Sequence, residues 1–393
     1  MKIDKPIAVG FVQRLLPYYR LGFYKALSKL NTNYKFTILT RQSPDSITNI
    51  KTISKQEFEQ VTESETFNWI DTKTLFFYKI YILWQRSILF SIFLKKYDIV
   101  LITNNMTHIF YWIVILCCKL RNINVVYWSH GLQGNECGFK LKLKTIYLKL
   151  ADINLVYARY NKELMINVGM NANKIFVMYN SLDLSEIDKN INRHSEEKLL
   201  AVKKKYFDND FPTLLFISRL EKSKKIEQLL QAAKLLKDRG VNVNVLIVGN
   251  GSELGYLMDT SQLLGLEESV YFEKATYLES QLSAFFAISD IFVSPGNVGL
   301  NCIHSLAYGL PVITHSDFRY QNPEVEAIVV NKTGALFKKD DIKDLADTID
   351  NWINNQSKEL SFLLAREIVQ DLYSPENQAS VVLSALSSLS RHR

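Results

Sequence analysis

Short apolar runs recur along the chain, most of them followed by a stretch of helical length, and this alternation predicts parallel β-sheets covered by helices. The first run is 7–12. It gives way to Arg14-Leu15-Leu16-Pro17-Tyr18-Tyr19-Arg20 and then to a helical pattern over 21–30, so this loop sits at the C-terminal end of a strand, where open parallel sheets bind ligands. Further strands are expected at 36–40, 99–103, 125–128 and 153–157. After Asn180-Ser181-Leu182-Asp183 the periodicity lapses into a polar stretch, 185–197, which reads as the crossing between domains. A second series follows, with strands at 213–217, 243–248, 270–272, 291–293 and 312–314, helices at 226–239 and 300–308, and a mainly helical tail from 342. Gly240 and Gly309 stop the two helices, and Pro311 follows the second.

Two domains of similar architecture follow from this pattern. With 393 residues, 47% of them apolar, the chain can bury two cores of ordinary size. The expected division is a first domain over 1–183, a linker over 184–200, a second domain over 201–365 and a helical tail over 366–393 that packs back on the first. Two apolar stretches, 75–94 and 109–118, invite comparison with membrane spans. Lys79, Gln85 and Arg86 interrupt the first, and the second has only half of the roughly 20 apolar residues a span needs, so both are expected as buried or interfacial helices.

Charge refines the picture. Residues 1–190 carry 25 Lys and Arg against 14 Asp and Glu, whereas 191–393 carry 22 against 26, so the basic surplus lies wholly in the first half. Such a surplus attracts anionic partners; anionic lipid is the first candidate, and a nucleic acid is not required. Lys140, Lys142, Lys144 and Lys149 interleave with Leu141, Leu143, Ile146, Tyr147, Leu148 and Leu150, either as a basic amphipathic surface for lipid or as a solvated helix face over the core. Cys117, Cys118, Cys137 and Cys302 have neither zinc spacing nor a disulfide pattern, and 1–10 shows no cleavable signal. The expected compartment is a reducing cytosol, with contact at the inner face of the cytoplasmic membrane.

Candidate chemistry gathers at strand ends. In Phe216-Ile217-Ser218-Arg219-Leu220-Glu221-Lys222-Ser223-Lys224-Lys225 a strand runs into a basic loop before a helix. Arg219 offers a planar fork to phosphate oxygens and Lys224 a point charge, although a solvated basic turn has the same composition. Gly249-Asn250-Gly251 can bring backbone close to a ligand or simply turn the chain. Ser294-Pro295-Gly296-Asn297-Val298-Gly299-Leu300-Asn301 is a glycine-containing helix entry that favours an anion. Three such loops in one half can converge on one nucleotide diphosphate. In the first half His130-Gly131 follows a strand, and the histidine either meets a sugar hydroxyl or phosphate or bonds its own loop.

On these residues the chain resembles bacterial glycosyltransferases of the GT-B fold, in particular the large retaining family four. Leu16-Pro17-Tyr18-Tyr19-Arg20 looks like its opening loop, Tyr179-Asn180-Ser181-Leu182-Asp183 like its "N-G-V-D" segment, and Ser218-Arg219-Leu220-Glu221-Lys222-Ser223-Lys224 like its "G-R-L-x-x-x-K" signature. Gly249-Asn250-Gly251 is similar to its "G-D-G" turn, and Ser294-Pro295-Gly296 with Gly309-Leu310-Pro311-Val312-Ile313 to its donor-site frame.

The resemblance implies an α/β chain of two Rossmann-like domains whose parallel sheets face across a cleft. It implies transfer of a sugar from a nucleotide-sugar, UDP in preference to GDP, to a glycan or polyprenyl-diphosphate-linked acceptor, in O-antigen or capsule assembly. No cofactor or metal is expected. Arg219 and Lys224 would hold the diphosphate, and His130 and Asn297 would stand near the transferred sugar. Gly249, Asn250, Gly251, Gly296, Val298, Gly299, Leu300, His304 and Ser305 would line the donor site, and Arg14, Tyr18, Tyr19 and Arg20 the acceptor side. The family's E-x7-E pair is matched here to Asn297 and Ser305, with His304 as the substitute ribose acceptor. This departure leaves two alternatives: a UDP-sugar 2-epimerase of the same fold, and a nucleotide-sugar-binding homologue without catalysis.

Overall fold

The computed structural model describes residues 5–31, 33–40, 52–62, 66–72, 75–77, 82–84, 86–103, 106–191, 193–355 and 358–390. The chain divides into two compact units, Met1–Leu182 with Ser374–Arg393, and Asp183–Tyr373.

The first unit runs β1 (Ile7–Val12), α1 (Leu21–Leu30), β2 (Tyr34–Thr40), α2 (Lys55–Val61), β3 (Phe67–Asp71), β4 (Leu75–Phe77), β5 (Ile82–Trp84), α3 (Arg86–Phe93), β6 (Ile99–Thr103), α4 (Ile109–Leu120), β7 (Asn124–Trp128), α5 (Gly138–Lys149), β8 (Ile153–Val156), α6 (Arg159–Asn167) and β9 (Ile175–Val177). Among the described residues seven strands form a sheet in the order β3-β2-β1-β6-β7-β8-β9, with every neighbouring pair parallel. Successive side chains of β1 feed opposite cores: Val9 and Phe11 join one, Val12 the other. That is why its sequence is an unbroken apolar run.

The stretch 75–94 is not one helix. Leu75–Phe77 and Ile82–Trp84 pair as an antiparallel hairpin, and only Arg86–Phe93 is helical. A continuous apolar run carries no period, so its aromatic residues satisfied either reading. Lys79 and Gln85, which break the apolar run as a membrane span, lie outside the described residues. The stretch 109–118 does form a helix, α4, which buries Phe110, Tyr111, Val114, Ile115 and Cys118.

The second unit runs α7 (Leu184–Ile191), α8 (Glu196–Tyr206), β10 (Thr213–Ile217), α9 (Ile226–Asp238), β11 (Asn244–Val248), α10 (Leu254–Leu263), β12 (Val270–Glu273), α11 (Glu279–Ala287), β13 (Ile291–Ser294), α12 (Asn301–Ala307), β14 (Val312–His315), β15 (Gly334–Phe337), α13 (Ile342–Asn355) and α14 (Lys358–Leu372). Most of the segment expected as a linker is therefore helical and belongs to this unit; Ile187 of α7 is buried, and α7 packs on α11. Among the described residues six parallel strands form the sheet β12-β11-β10-β13-β14-β15. Its order reverses between β10 and β13, and such a switch opens a crevice at the carboxyl ends of the two strands.

The last helix, α15 (Pro375–Ser390), returns to the first unit. Ala379, Val382, Ala385 and Leu386 are enclosed in the same core as β1 and α1. Gln378 ties the helix down, with its Nε2 donating to the Tyr179 carbonyl at 2.7 Å and its Oε1 accepting from Ser181 Oγ at 2.7 Å.

Candidate active site

In the second unit the loops after the two strands flanking the switch carry the candidate residues. β10 ends at Ile217, and the loop beyond it carries Arg219 before a short turn, Lys222–Lys224, and Lys225 with φ 53°. β13 ends at Ser294, and its loop runs through Gly296 and Asn297 to α12. The two loops interlock. Lys224 Nζ donates to Asn297 Oδ1 at 2.7 Å and to its carbonyl at 2.9 Å, while the Gly296 amide donates to the Lys224 carbonyl at 3.0 Å. A Cβ on Gly296 would stand 2.5 Å from the Ser223 carbonyl oxygen, so glycine here serves the approach of one loop to the other.

Lys224 is therefore a half-buried cation on a neutral partner. Burial lowers its pKa, Glu221 opposes the shift and Arg219 adds to it. Arg219 is more open, its side chain 72% exposed, and it meets Glu221 at 3.3 Å. An ion pair this exposed contributes little, which leaves the guanidinium available to a dianion.

The third loop joins the first. Leu220 N donates to the Asn250 carbonyl at 2.9 Å, and Glu253 N to the Leu220 carbonyl at 3.0 Å. Cβ atoms at Gly249 and Gly251 would stand 2.1 and 2.2 Å from the carbonyl oxygens of Ser218 and Leu220. These glycines thus lie against the neighbouring loop's backbone. All three loops expected to surround a diphosphate are side by side at one strand edge.

The remaining residues expected on the donor side lie on the β13 loop and α12. Val298 is buried and its amide donates to Gln321 Oε1 at 3.0 Å; Gln321 Nε2 in turn donates to Thr314 Oγ1 at 2.8 Å, bracing the loop. Gly299 has φ 59°, and the Leu300 carbonyl accepts from His304 N at 3.0 Å. Ser305 is fully enclosed, and its hydroxyl has no hydrogen-bond partner among the described residues. His304 lies on an accessible face, but its Nε2 is 2.8 Å from Glu279 Oε1, which also accepts from Tyr308 OH at 2.6 Å. Partial burial acts to raise the Glu279 pKa, yet the bonds from His304 and Tyr308 carry it below its ordinary value. Sequence reasoning passed over Glu279; its only signal was a glutamate at the start of a helix, a common place for one.

In the first unit a second group of side chains gathers at the sheet's carboxyl edge. Arg20 leaves a turn, Tyr18–Arg20, and its guanidinium lies 4.6 Å from the Trp128 ring centroid. Its Nη2 donates to Tyr157 OH at 2.7 Å, Tyr157 OH also accepts from Trp128 Nε1, and Nη1 reaches Gln13 Oε1 at 3.4 Å. Burial acts to lower the Arg20 pKa, but the surrounding tyrosines raise it above its ordinary value. Tyr18 and Tyr19 are exposed on this turn, and Arg14 lies in the loop after β1, its carbonyl accepting from Thr40 Oγ1 at 3.5 Å.

His130 follows β7, with its ring 4.9 Å from that of Tyr157. Desolvation, then the charges of Arg20 and Lys144, lower its pKa to about 4. The side chain still shows surface to water, so this is a ring in a walled recess and not one in a core. A cavity of about 300 Å³ adjoins it, lined in part by Thr107, Ser129, Glu136, Lys140 and Lys144. Glu136 is a second residue the sequence did not flag. Its carboxylate accepts from the amides of Gln133 and Gly134 and from Lys144, so Lys144, read from the sequence as part of either a lipid-facing surface or a solvated helix face, is held within the fold.

A match to the glycosyl transferases group 1 family covers residues 198–363. The matched stretch lies within the second unit. Among curated relatives, the capsular polysaccharide biosynthesis glycosyltransferase CapM of Staphylococcus aureus is 28% identical over 155 residues, 38% of each chain. The alpha-monoglucosyldiacylglycerol synthase of Streptococcus pneumoniae is 32% identical over 130 residues, 32% of this chain and 28% of that protein. The chain thus spans well under half the length of these two relatives. Similarity of fold extends further: the crystal structure of Anabaena Alr3699/HepE in complex with UDP superposes with a TM-score of 0.69 at 15% identity, over 98% of this chain and 100% of that one. The fold is GT-B, and the stretch that matches the family includes the Lys224, Arg219 and Asn297 loops described above.

Proposed function

We propose that this protein is a retaining glycosyltransferase that moves a sugar from a UDP-sugar to a glycan acceptor borne on a lipid, in the assembly of surface polysaccharide. One observation carries the reading: at the β10/β13 switch, Lys224 is half buried on the neutral Asn297 with exposed Arg219 close by, a pair of cations suited to a diphosphate. In the reaction the bond from the sugar's anomeric carbon to the diphosphate oxygen breaks, and the acceptor hydroxyl oxygen bonds to that carbon from the same face. The hydroxyl proton passes to the departing phosphate oxygen. Arg219 and Lys224 stabilise the charge that grows on the leaving nucleotide. His130, neutral at pH 7 with its pKa near 4, acts as a hydrogen-bonding partner of the sugar and not as an acid.

The UDP held by HepE supports a uridine donor. The names of the CapM protein and of the diacylglycerol synthase support a polysaccharide or a lipid-borne acceptor. Incubation with a panel of UDP- and GDP-sugars tests the reading. Slow hydrolysis of one UDP-sugar, accelerated into transfer by the right acceptor, is expected. Inversion at C2 of the sugar, or binding with no turnover on the whole panel, would replace it.

A further inference from the structure

Two helices on one face of the first unit carry apolar side chains that the fold does not cover. α3 buries Ile88 and Ile92 in the core, and α4 buries Phe110, Val114, Ile115 and Cys118. On their outer sides Phe90, Phe93 and Leu94 stand at helical spacing, as do Ile109, Leu116 and Leu120. Phe93 is 69% exposed and Leu120 75%, values that water alone does not favour for side chains of this size. The two stripes adjoin: α3 packs along α4, and the Arg121 guanidinium lies 5.6 Å from the Phe93 ring.

Cations fringe the patch. Lys95 and Lys96 follow α3, and Lys119 and Arg121 stand at the end of α4. Lys119 bonds Asp152 at 2.7 Å, whereas Lys95, Lys96 and Arg121 are exposed and meet no carboxylate among the described residues. A two-fold contact with a second copy would set these like charges against one another. An anionic bilayer fits both features, taking phenylalanine and leucine at the depth of the acyl boundary and lysine and arginine at the headgroups.

We propose that the α3–α4 face is the membrane-docking surface of this protein and that its partner is a bilayer rich in anionic phospholipid. No helix among the described residues is long and apolar enough to cross a membrane, so the contact is peripheral. The α4 stripe runs from Ile109, beyond the carboxyl end of β6, to Leu120, just before β7 begins, so the cations that fringe it lie at the sheet's amino edge. α5, the helix whose sequence suggested this role, contributes less, because Tyr147 and Leu148 are enclosed and Lys144 is bound to Glu136.

Flotation of the full chain with vesicles of phosphatidylcholine, and of phosphatidylcholine mixed with phosphatidylglycerol, at low and high salt, tests the proposal. Binding to the mixed vesicles that weakens with salt is expected. Phe93→Ser with Leu120→Ser lowers it about tenfold, and Lys95→Gln with Lys96→Gln and Arg121→Gln removes the preference for anionic lipid. These positions are on the surface, and thermal melting checks that each variant stays folded. Absence of binding to either vesicle, or equal binding by wild type and both variants, overturns the proposal. So does a change of oligomeric state in the variants with vesicle binding unaltered, which would assign the face to a second copy. Binding is read without donor or acceptor, so its failure leaves the proposed reaction standing, and a failure of donor turnover leaves the docking face standing.

Discussion

Each unit places an arginine just beyond its first sheet strand, and the two have opposite surroundings. Arg219 follows β10 in an open loop, with a single exposed ion pair to Glu221. Arg20, beyond β1, is stacked on Trp128 and bonded to Tyr157 and Gln13. One is a charge open to solvent; the other has become part of the scaffold. The lesson is that a cation at a strand edge is no site by position alone. What separates the two is how many of its donors the protein has already used.

The largest effect that would test this contrast is on stability. Replacing Arg20 by Ala strips the cation from Trp128 and removes one donor each from Tyr157 OH and Gln13 Oε1, a loss of about 3 kcal/mol in urea denaturation. Arg219→Ala should stay within about 0.5 kcal/mol of wild type in the same experiment. Similar losses for both would erase the distinction.

A pair of histidines extends the comparison to pH. His130 and His315 both have a pKa lowered to about 4, but His130 is exposed and His315 is 1% exposed. For His315 the causes are burial, then Lys225 and Lys339, partly opposed by Asp317 and Asp340. Its folded pKa lies below its ordinary value of 6.5, so the unfolded chain takes up the proton first. The stability it contributes is complete above about pH 6.5 and is lost as pH falls towards 4, up to about 3 kcal/mol. His315→Gln should remove that part of the acid slope in denaturation at pH 7 and pH 4. An unchanged slope would show that the ring is solvated in the folded chain.

The smallest effect is on the barrier. Arg219→Ala and Lys224→Ala should each lower transfer at least tenfold, about 1.4 kcal/mol, without loss of fold. Rates near wild type in both would leave the second unit without a site.

Strand positions were legible in proportion to burial. The runs at 7–12 and 213–217 match β1 and β10, which lie inside their sheets. The strands with no clear signal in the first sheet, β3 and β9, and β15 in the second, all lie at sheet edges. An edge strand pairs on one side only and tolerates polar residues, as Phe67-Asn68-Trp69-Ile70-Asp71 does, so its apolar run is diluted. The β4–β5 hairpin was hidden for the opposite reason, in an apolar stretch with no period at all.

By itself the amino-acid order determined that strands and helices alternate, that the chain forms two Rossmann-like units, and that Arg219, Lys224 and the glycine loops lie beyond strand ends. Those properties depend on local pattern, which a linear reading can follow. Tertiary structure alone decided that Asn297 holds Lys224, that His304 is tied to Glu279, that Ser305 is enclosed and that Arg20 is stacked on Trp128. Each of these is a contact between residues distant in the chain or a matter of which way a helix face turns. Packing sets both, and no spacing along the sequence records them.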